Sequence, residues 1–140
     1  MQHYRMLIDG QWVEGSGGES FETQNPFTAE TWATIAKGTP DDVDRAVEAA
    51  YRAYKTGPWA KMSASARGAV LRRFADLLAE HGQSLAETET RDNGKLIAEM
   101  SLQLRYVPQI VHYFAGLADK VEGTVPPIER PGYFNYTRRE

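Results

Sequence analysis

The residue types that carry most enzyme chemistry are thinly spread along this sequence. Its densest carboxylate group is Glu87, Glu89, Asp92 and Glu99. Neighbouring carboxylates do acid–base work when one holds its proton while the other stays ionised, but a solvated helix end accounts for the same four residues more simply. His3, His81 and His112 lie far apart, and none has a second histidine or a carboxylate four residues away, so structural roles are expected of all three. His112 and Asp119, seven residues apart, are the one pair with a shared helix face in prospect. The serines include no G-x-S-x-G elbow, which removes the usual hydrolase argument. Gly15-Ser16-Gly17-Gly18 invites a phosphate-loop reading. A dinucleotide fingerprint needs a third glycine where Ser20 stands and a helix directly after the loop, so an ordinary turn is expected. Cysteine is absent, and with it go thiol nucleophiles, disulfides and Cys-ligated zinc or iron–sulfur centres.

Composition narrows the classes further. A chain of 140 residues with 41% apolar content fits one globular unit rather than two. Sixteen basic against 19 acidic residues, net −3, provide no broad positive field for a nucleic-acid backbone or an anionic membrane. Residues 1–9 lack the apolar run of a secretory signal and no stretch approaches bilayer-spanning length, so the cytosol is the expected compartment. Asn135-Tyr136-Thr137 matches the N-glycosylation pattern, a three-residue match that arises readily by chance.

The elements that would position these groups fall into three stretches. Residues 1–38 read as strands and turns. Leu7 to Val13 forms a hairpin or two short paired strands around Asp9-Gly10, Phe21-Glu22-Thr23 follows the glycine cluster, Asn25-Pro26 breaks the pattern, and Thr31–Ile35 makes another strand. Residues 39–122 read as a helical layer. Thr39 caps a helix over about 40–55, with Pro40 in its first turn and Asp41 and Asp42 at its positive end. Val43, Ala46, Val47, Ala50, Tyr51 and Tyr54 predict its buried stripe. A second helix starts at Ser63 or Ser65 and carries Val70, Leu71, Phe74, Leu77 and Leu78 on one face. Gly82 marks a break, Ser84 is placed to cap a short third helix, and Asn93-Gly94 stops it. From Leu96 a 3/4 spacing runs through Met100, Leu104, Val107, Val111, Phe114 and Ala118 to Val121, with Pro108 expected to kink it. Tyr106, Tyr113 and Phe114 on this helix are expected to be core residues. Residues 123–140 begin extended, and Tyr133–Arg138 predicts a strand whose exposed aromatics call for a covering partner. The sequence stops inside that expected strand, which suggests a truncated unit. The fold class is therefore a mainly α helical layer with an N-terminal β-hairpin and a C-terminal β-arm, all within one domain.

Taken in order, several of these segments resemble the N-terminal part of the NAD(P)-dependent aldehyde dehydrogenase superfamily. They are Ile8-Asp9-Gly10-Gln11-Trp12-Val13, Asn25-Pro26, Thr39-Pro40-Asp41-Asp42-Val43-Asp44-Arg45-Ala46-Val47, Gly57-Pro58-Trp59 and Arg67-Gly68. The series continues through Leu71-Arg72-Arg73-Phe74-Ala75-Asp76-Leu77, Glu89-Thr90-Arg91-Asp92-Asn93-Gly94-Lys95, Tyr113-Phe114-Ala115-Gly116-Leu117-Ala118-Asp119-Lys120 and Tyr136-Thr137-Arg138-Arg139-Glu140. Ala66 and Leu96 depart from residues frequent in the family, glutamate and proline respectively.

The resemblance implies that this is a partial piece of an α/β subunit. In the full enzyme a cysteine thiolate attacks the aldehyde, hydride passes to the nicotinamide of NAD or NADP, and water hydrolyses the thioester with glutamate as base. The nucleophilic cysteine, general-base glutamate, oxyanion-stabilising asparagine and dinucleotide core all lie beyond the position of Glu140, so no catalytic or cofactor-binding residue is carried over and no activity is expected of this chain alone. The implied roles are a scaffold for the dinucleotide domain, an oligomerisation arm near 125–140, and association with the rest of a subunit or with homologous subunits. A free-standing module that binds related subunits is the alternative. Some relatives also hold a structural monovalent cation through carbonyls before the Asn-Pro pair and an acidic side chain of the Asp-Asn-Gly motif, which here are Thr23, Gln24 and Asp92; a plain helix-end role for Asp92 remains open.

Overall fold

The structure, a computed structural model, describes residues 1–138. Five short strands precede five helices: β1 (Gln2–Tyr4), β2 (Met6–Ile8), β3 (Gln11–Val13), β4 (Ser20–Gln24), β5 (Thr31–Ala36), α1 (Pro40–Thr56), α2 (Pro58–Lys61), α3 (Ala64–Glu80), α4 (Gly82–Asn93) and α5 (Ile97–Leu117). β2 and β3 pair antiparallel across Asp9-Gly10, with Leu7 opposite Trp12. β5 is the centre of a second sheet, flanked by antiparallel β4 and by β1, which runs parallel to it with His3 opposite Thr34. Nothing in the local pattern of residues 1–5 announces β1. Its pairing depends on a strand some thirty residues away.

The helices begin where their caps dictate. The Thr39 hydroxyl accepts the Asp42 N–H while the Asp42 carboxylate accepts the Thr39 N–H, a reciprocal capping box, and Pro40 follows without wasting a donor. Ser63, not Ser65, caps α3 by accepting the Ala66 N–H. Ser84 caps nothing: α4 already starts at Gly82, and the Ser84 hydroxyl donates back to the His81 carbonyl. Pro58 opens the four-residue α2, which the Gly57-Pro58 stop had concealed. α5 continues through Pro108, which is itself buried, and ends before Val121.

Packing is concentrated between α3 and α5, with α4 against α5. The buried positions are Gly68 and Ala75 on α3, Ala86 on α4, and Met100, Pro108 and Ala115 on α5. α3 therefore turns its Gly68–Ala75 face inward, and Val70 and Phe74, expected inside, are exposed. α1 departs further from expectation. Of its residues only Asp42 is buried, while Val43, Val47, Tyr51 and Tyr54 are each more than half exposed. Tyr106, Tyr113 and Phe114 on α5 are likewise exposed rather than in the core. The stripes that periodicity picks out on α1 and α5 are apolar, but these side chains are left uncovered by the described residues.

Residues 122–138 are extended without forming a regular ladder, so the strand expected over Tyr133–Arg138 is not formed among the described residues. The segment folds back once, the Thr137 N–H donating to the Thr124 carbonyl at 2.9 Å and the Thr137 hydroxyl accepting the Thr124 N–H at 2.7 Å. The last two positions of the expected 123–140 arm, 139 and 140, lie outside the described residues. No helix among the described residues is long and apolar enough to cross a membrane.

Candidate functional site

The sequence motifs that meet in space are Thr23, Asn25-Pro26 and Asp92-Asn93-Gly94. β4 loses register at Thr23/Gln24, an irregularity that takes backbone groups out of the regular ladder. Asn25 then closes a turn, its side-chain oxygen accepting the Phe27 N–H at 2.9 Å and its carbonyl accepting the Ala29 N–H at 2.8 Å. On the other side, α4 ends at Gly94 in the left-handed conformation (φ 77°), its N–H donating to the Thr90 carbonyl. A Cβ on Gly94 would come within 2.8 Å of the Pro26 Cγ. The position therefore requires glycine both for its backbone and for the docking of the Asn-Pro turn.

This docking places Asp92, in the last turn of α4, against β4. The Thr23 hydroxyl donates to Asp92 Oδ1 at 2.7 Å. A carboxylate at a helix C-terminus adds to the negative end of the helix dipole, and oxygen donors of this kind favour a hard cation. Glu89, one turn earlier, is already engaged by Lys95 at 3.0 Å and by the Asn93 amide at 3.2 Å. Beside the pair lies a cavity of about 380 Å³ lined by Tyr4, Trp32, Ile35, Leu85 and Leu104, with Thr23 and Asp92 at its polar side. Arg91 stacks over the Trp32 ring at 5.6 Å.

The other candidates resolve differently. The four carboxylates do not form a dyad: Glu87 accepts from Gln83, Glu89 pairs with Lys95, Asp92 meets Thr23, and Glu99 lies in the first turn of α5. His112 faces Asp76 across α3 and α5 at 3.1 Å, not Asp119, which pairs with Lys120. Residues 15–18 form a turn closed by the Gly18 N–H on the Gly15 carbonyl. The Ser16 N–H donates to the Asp42 carboxylate at 2.9 Å. That carboxylate also takes the Thr39 N–H and the Arg45 guanidinium, so an internal anion already fills the place a phosphate would need. The Thr39 and Ser16 amides and Arg45 hold the Asp42 carboxyl far below the usual carboxylate range. The 15–18 turn is thereby committed to Asp42.

Sequence reasoning missed one arrangement. His3 Nδ1 lies 2.8 Å from the Thr34 hydroxyl and Nε2 lies 2.8 Å from Glu14, a hydroxyl–imidazole–carboxylate order. The arrangement sits on β5 where that strand is paired on both sides. It ties β1, the hairpin and β5 together. The parallel β1–β5 pairing brings His3 beside Thr34, and Glu14 is the residue after β3, so no local signal announces them.

The comparisons with known proteins follow the same pieces. A sequence profile of the aldehyde dehydrogenase family matches residues 12–140. The chain belongs to the aldehyde dehydrogenase family. It is 39% identical over its whole length to (Z)-2-((N-methylformamido)methylene)-5-hydroxybutyrolactone dehydrogenase of Acinetobacter baylyi, covering 28% of that protein. Over 92% of its length it is 41% identical to aldehyde dehydrogenase family 2 member B4, mitochondrial, of Arabidopsis thaliana, covering 24% of it. Its fold is similar to that of the NAD+ complex of a Bacillus cereus aldehyde dehydrogenase, with a TM-score of 0.89 and 36% identity over 98% of this chain and 28% of that one. It thus corresponds to an N-terminal segment of the family and spans about a quarter of the length of these relatives.

Proposed function

We propose that this chain is the N-terminal scaffold and oligomerisation segment of an NAD(P)-dependent aldehyde dehydrogenase and is inactive by itself. The observation that carries the reading is the family match over residues 12–140 in a sequence with no cysteine. Thioester formation needs a thiolate, and none of these residues supplies one. In the complete enzyme an aldehyde, NAD(P)+ and water give a carboxylic acid, NAD(P)H and a proton; the nicotinamide supplies the hydride acceptor. This segment contributes the helical layer over 39–122 as part of the scaffold for the dinucleotide domain, and the extended stretch from 123 contributes the arm to a homo-oligomer.

Thr23, Gln24 and Asp92 form its structural monovalent-cation site. The Thr23–Asp92 contact, the ladder irregularity at Thr23/Gln24 and the helix C-terminus behind Asp92 support that assignment. The residues hold the ion by oxygen donors and fix the β4 turn against α4; they take no part in hydride transfer. The test is an assay of the purified chain for aldehyde-dependent NAD(P)+ reduction. No turnover is expected, and robust turnover would overturn the reading.

A second reading, a free-standing module that binds related intact subunits, is favoured by the exposed aromatics Tyr133, Phe134 and Tyr136. Mixed oligomers with a full-length relative on size-exclusion chromatography would support it, and strict failure to associate would remove it.

A further inference from the structure

The sequence holds three asparagines, Asn25, Asn93 and Asn135, followed by Pro26, Gly94 and Tyr136. An asparagine side-chain carbonyl is open to attack by the backbone nitrogen of the next residue, which closes a cyclic imide, the succinimide. Pro26 has no N–H to lose, and the side chain of Tyr136 crowds its own nitrogen. Gly94 carries no side chain, so its nitrogen is the least hindered of the three. Asn93, Gly94 and Lys95 are all exposed, so water reaches them. Asp9-Gly10 has the same shape, but its side chain is a carboxylate paired with Arg52 at 2.8 Å, a poorer electrophile than a neutral amide.

The structure supplies more than the dipeptide. The Lys95 N–H donates to Asn93 Oδ1 at 2.9 Å, and because an N–H can face only the oxygen of that amide, its orientation is fixed. Attack at Cγ drives negative charge onto Oδ1, so the Lys95 N–H stands where an oxyanion donor is needed. At the other end of the amide, Nδ2 donates to Glu89 Oε1 at 3.2 Å, and the same oxygen accepts the Lys95 ammonium at 3.0 Å. The leaving nitrogen is thus one carboxylate oxygen away from a proton source. One contact opposes the reaction. The Gly94 N–H is spent on the Thr90 carbonyl at 2.9 Å, and the nucleophile is freed only when this last turn of α4 opens. Terminal turns are where helices fray.

We propose that Asn93-Gly94 is a self-modification site of the folded chain, gated by the Gly94–Thr90 hydrogen bond, and that its product releases α4 from the Asn-Pro turn. The Gly94 nitrogen bonds to Asn93 Cγ, the Cγ–Nδ2 bond breaks, and Nδ2 departs as ammonia with the proton that the Gly94 amide gives up. Solvent water then opens the imide at either carbonyl, leaving aspartate or isoaspartate at position 93. Nothing is oxidised or reduced. Isoaspartate carries the main chain through the former side chain and lengthens it by a methylene. Gly94 has no room for the shift, since even a Cβ on it would come within 2.8 Å of the Pro26 Cγ. Either product also adds a negative charge one turn from Glu89, at the negative end of α4. Asp92, which this docking holds to Thr23 at 2.7 Å, loses its position.

The experiment ages the purified 140-residue chain in neutral buffer at physiological temperature, folded and urea-unfolded, and maps both by mass spectrometry with electron-transfer fragmentation, which tells isoaspartate from aspartate. Conversion is expected at Asn93 before Asn135 or Asp9, as a mixture of both products. In the folded chain it should be slower than in urea by roughly tenfold or less, the worth of the one hydrogen bond that must open. Amide hydrogen exchange over residues 23–29 and 90–95 should quicken as the folded chain ages. In Asn93→Gln, whose larger ring closes far more slowly, exchange should stay constant over the same period. The inference is overturned if the folded chain stays unconverted after the unfolded chain has reacted, if both react equally fast, or if another residue converts first. It is overturned equally if conversion leaves exchange unchanged, or if exchange quickens as much in Asn93→Gln. Turnover of aldehyde by the chain would overturn the function proposed above and leave this inference standing.

Discussion

On α3 and α5 the buried residues are Gly68, Ala75, Met100, Pro108 and Ala115, whereas α1, of the same length as α3 and more strongly amphipathic in sequence, buries Asp42 alone. One region is held by apolar contact. The other is held at its N-terminus by a polar knot, in which Ser16, Thr39 and Arg45 converge on one carboxylate. An apolar stripe in a sequence reports the wish for a covering surface. Whether the described residues supply that surface is a separate question, and here the answer differs between two helices a few residues apart.

If that contrast is right, substitutions in the first region should cost most. Met100 is the only large side chain fully buried among the described residues. Met100→Ala should lower the unfolding free energy by about 2–5 kcal/mol, measured by urea denaturation, and a loss under about 1 kcal/mol would mean that the α3–α5 contact is not the core. Gly68→Ala comes next. Its added Cβ would meet the Ala115 backbone oxygen at 2.8 Å, and a backbone atom in a packed helix pair yields little, so a loss of about 1–3 kcal/mol is expected. A neutral or stabilising Gly68→Ala would show that α3 and α5 approach each other less closely.

The same contrast explains what was legible in the sequence. Caps are local, so Thr39, Ser63 and the Gly94 stop were readable or nearly so, and the α5 face through Met100, Leu104 and Val111 followed from its spacing. The candidate site was legible only through family resemblance, because Thr23 and Asp92 are 69 residues apart and their 2.7 Å contact depends on how the Asn-Pro turn docks on Gly94. Burial was the least legible. Val43, Val47, Tyr51, Tyr106 and Tyr113 have core-like types at core-like spacing, yet none of the described residues covers them. Asp42 is the reverse case. Thr39 as the cap and Asp42 at the positive helix end are readable from the sequence, but nothing local announces that the 15–18 turn would close over Asp42.

Asp42 gives the intermediate effect. Asn in its place keeps the shape but loses the charge that accepts the Ser16 and Thr39 amides and faces Arg45. Asp42→Asn should lower Tm by on the order of 5 °C at neutral pH. The sign of the pH dependence follows from a folded-state pKa depressed below the ordinary 3.8. The stabilisation is fully present above that value and is lost as pH falls below it toward the folded-state value. Parent and variant should therefore converge in thermal melts as the pH is taken from 7 down through the acid range. A gap that persists undiminished in acid would assign the effect to shape rather than charge.

The smallest effect expected is the most discriminating. Val47→Gln with Tyr51→Gln removes two large apolar side chains from the centre of the α1 stripe, a change that in a buried helix would cost several kcal/mol. Here both positions face solvent, so nothing is vacated, and glutamine has the better helix propensity. The unfolding free energy of the free chain should stay within about 0.5 kcal/mol of the parent, and binding of an apolar-surface dye should fall because the exposed stripe has been interrupted. A large loss of stability would place the stripe in contact with the chain's own residues and dissolve the distinction between the two regions. An unchanged melt with reduced dye binding would leave α1 as a helix held by its polar N-terminus, its apolar side uncovered by any of the described residues.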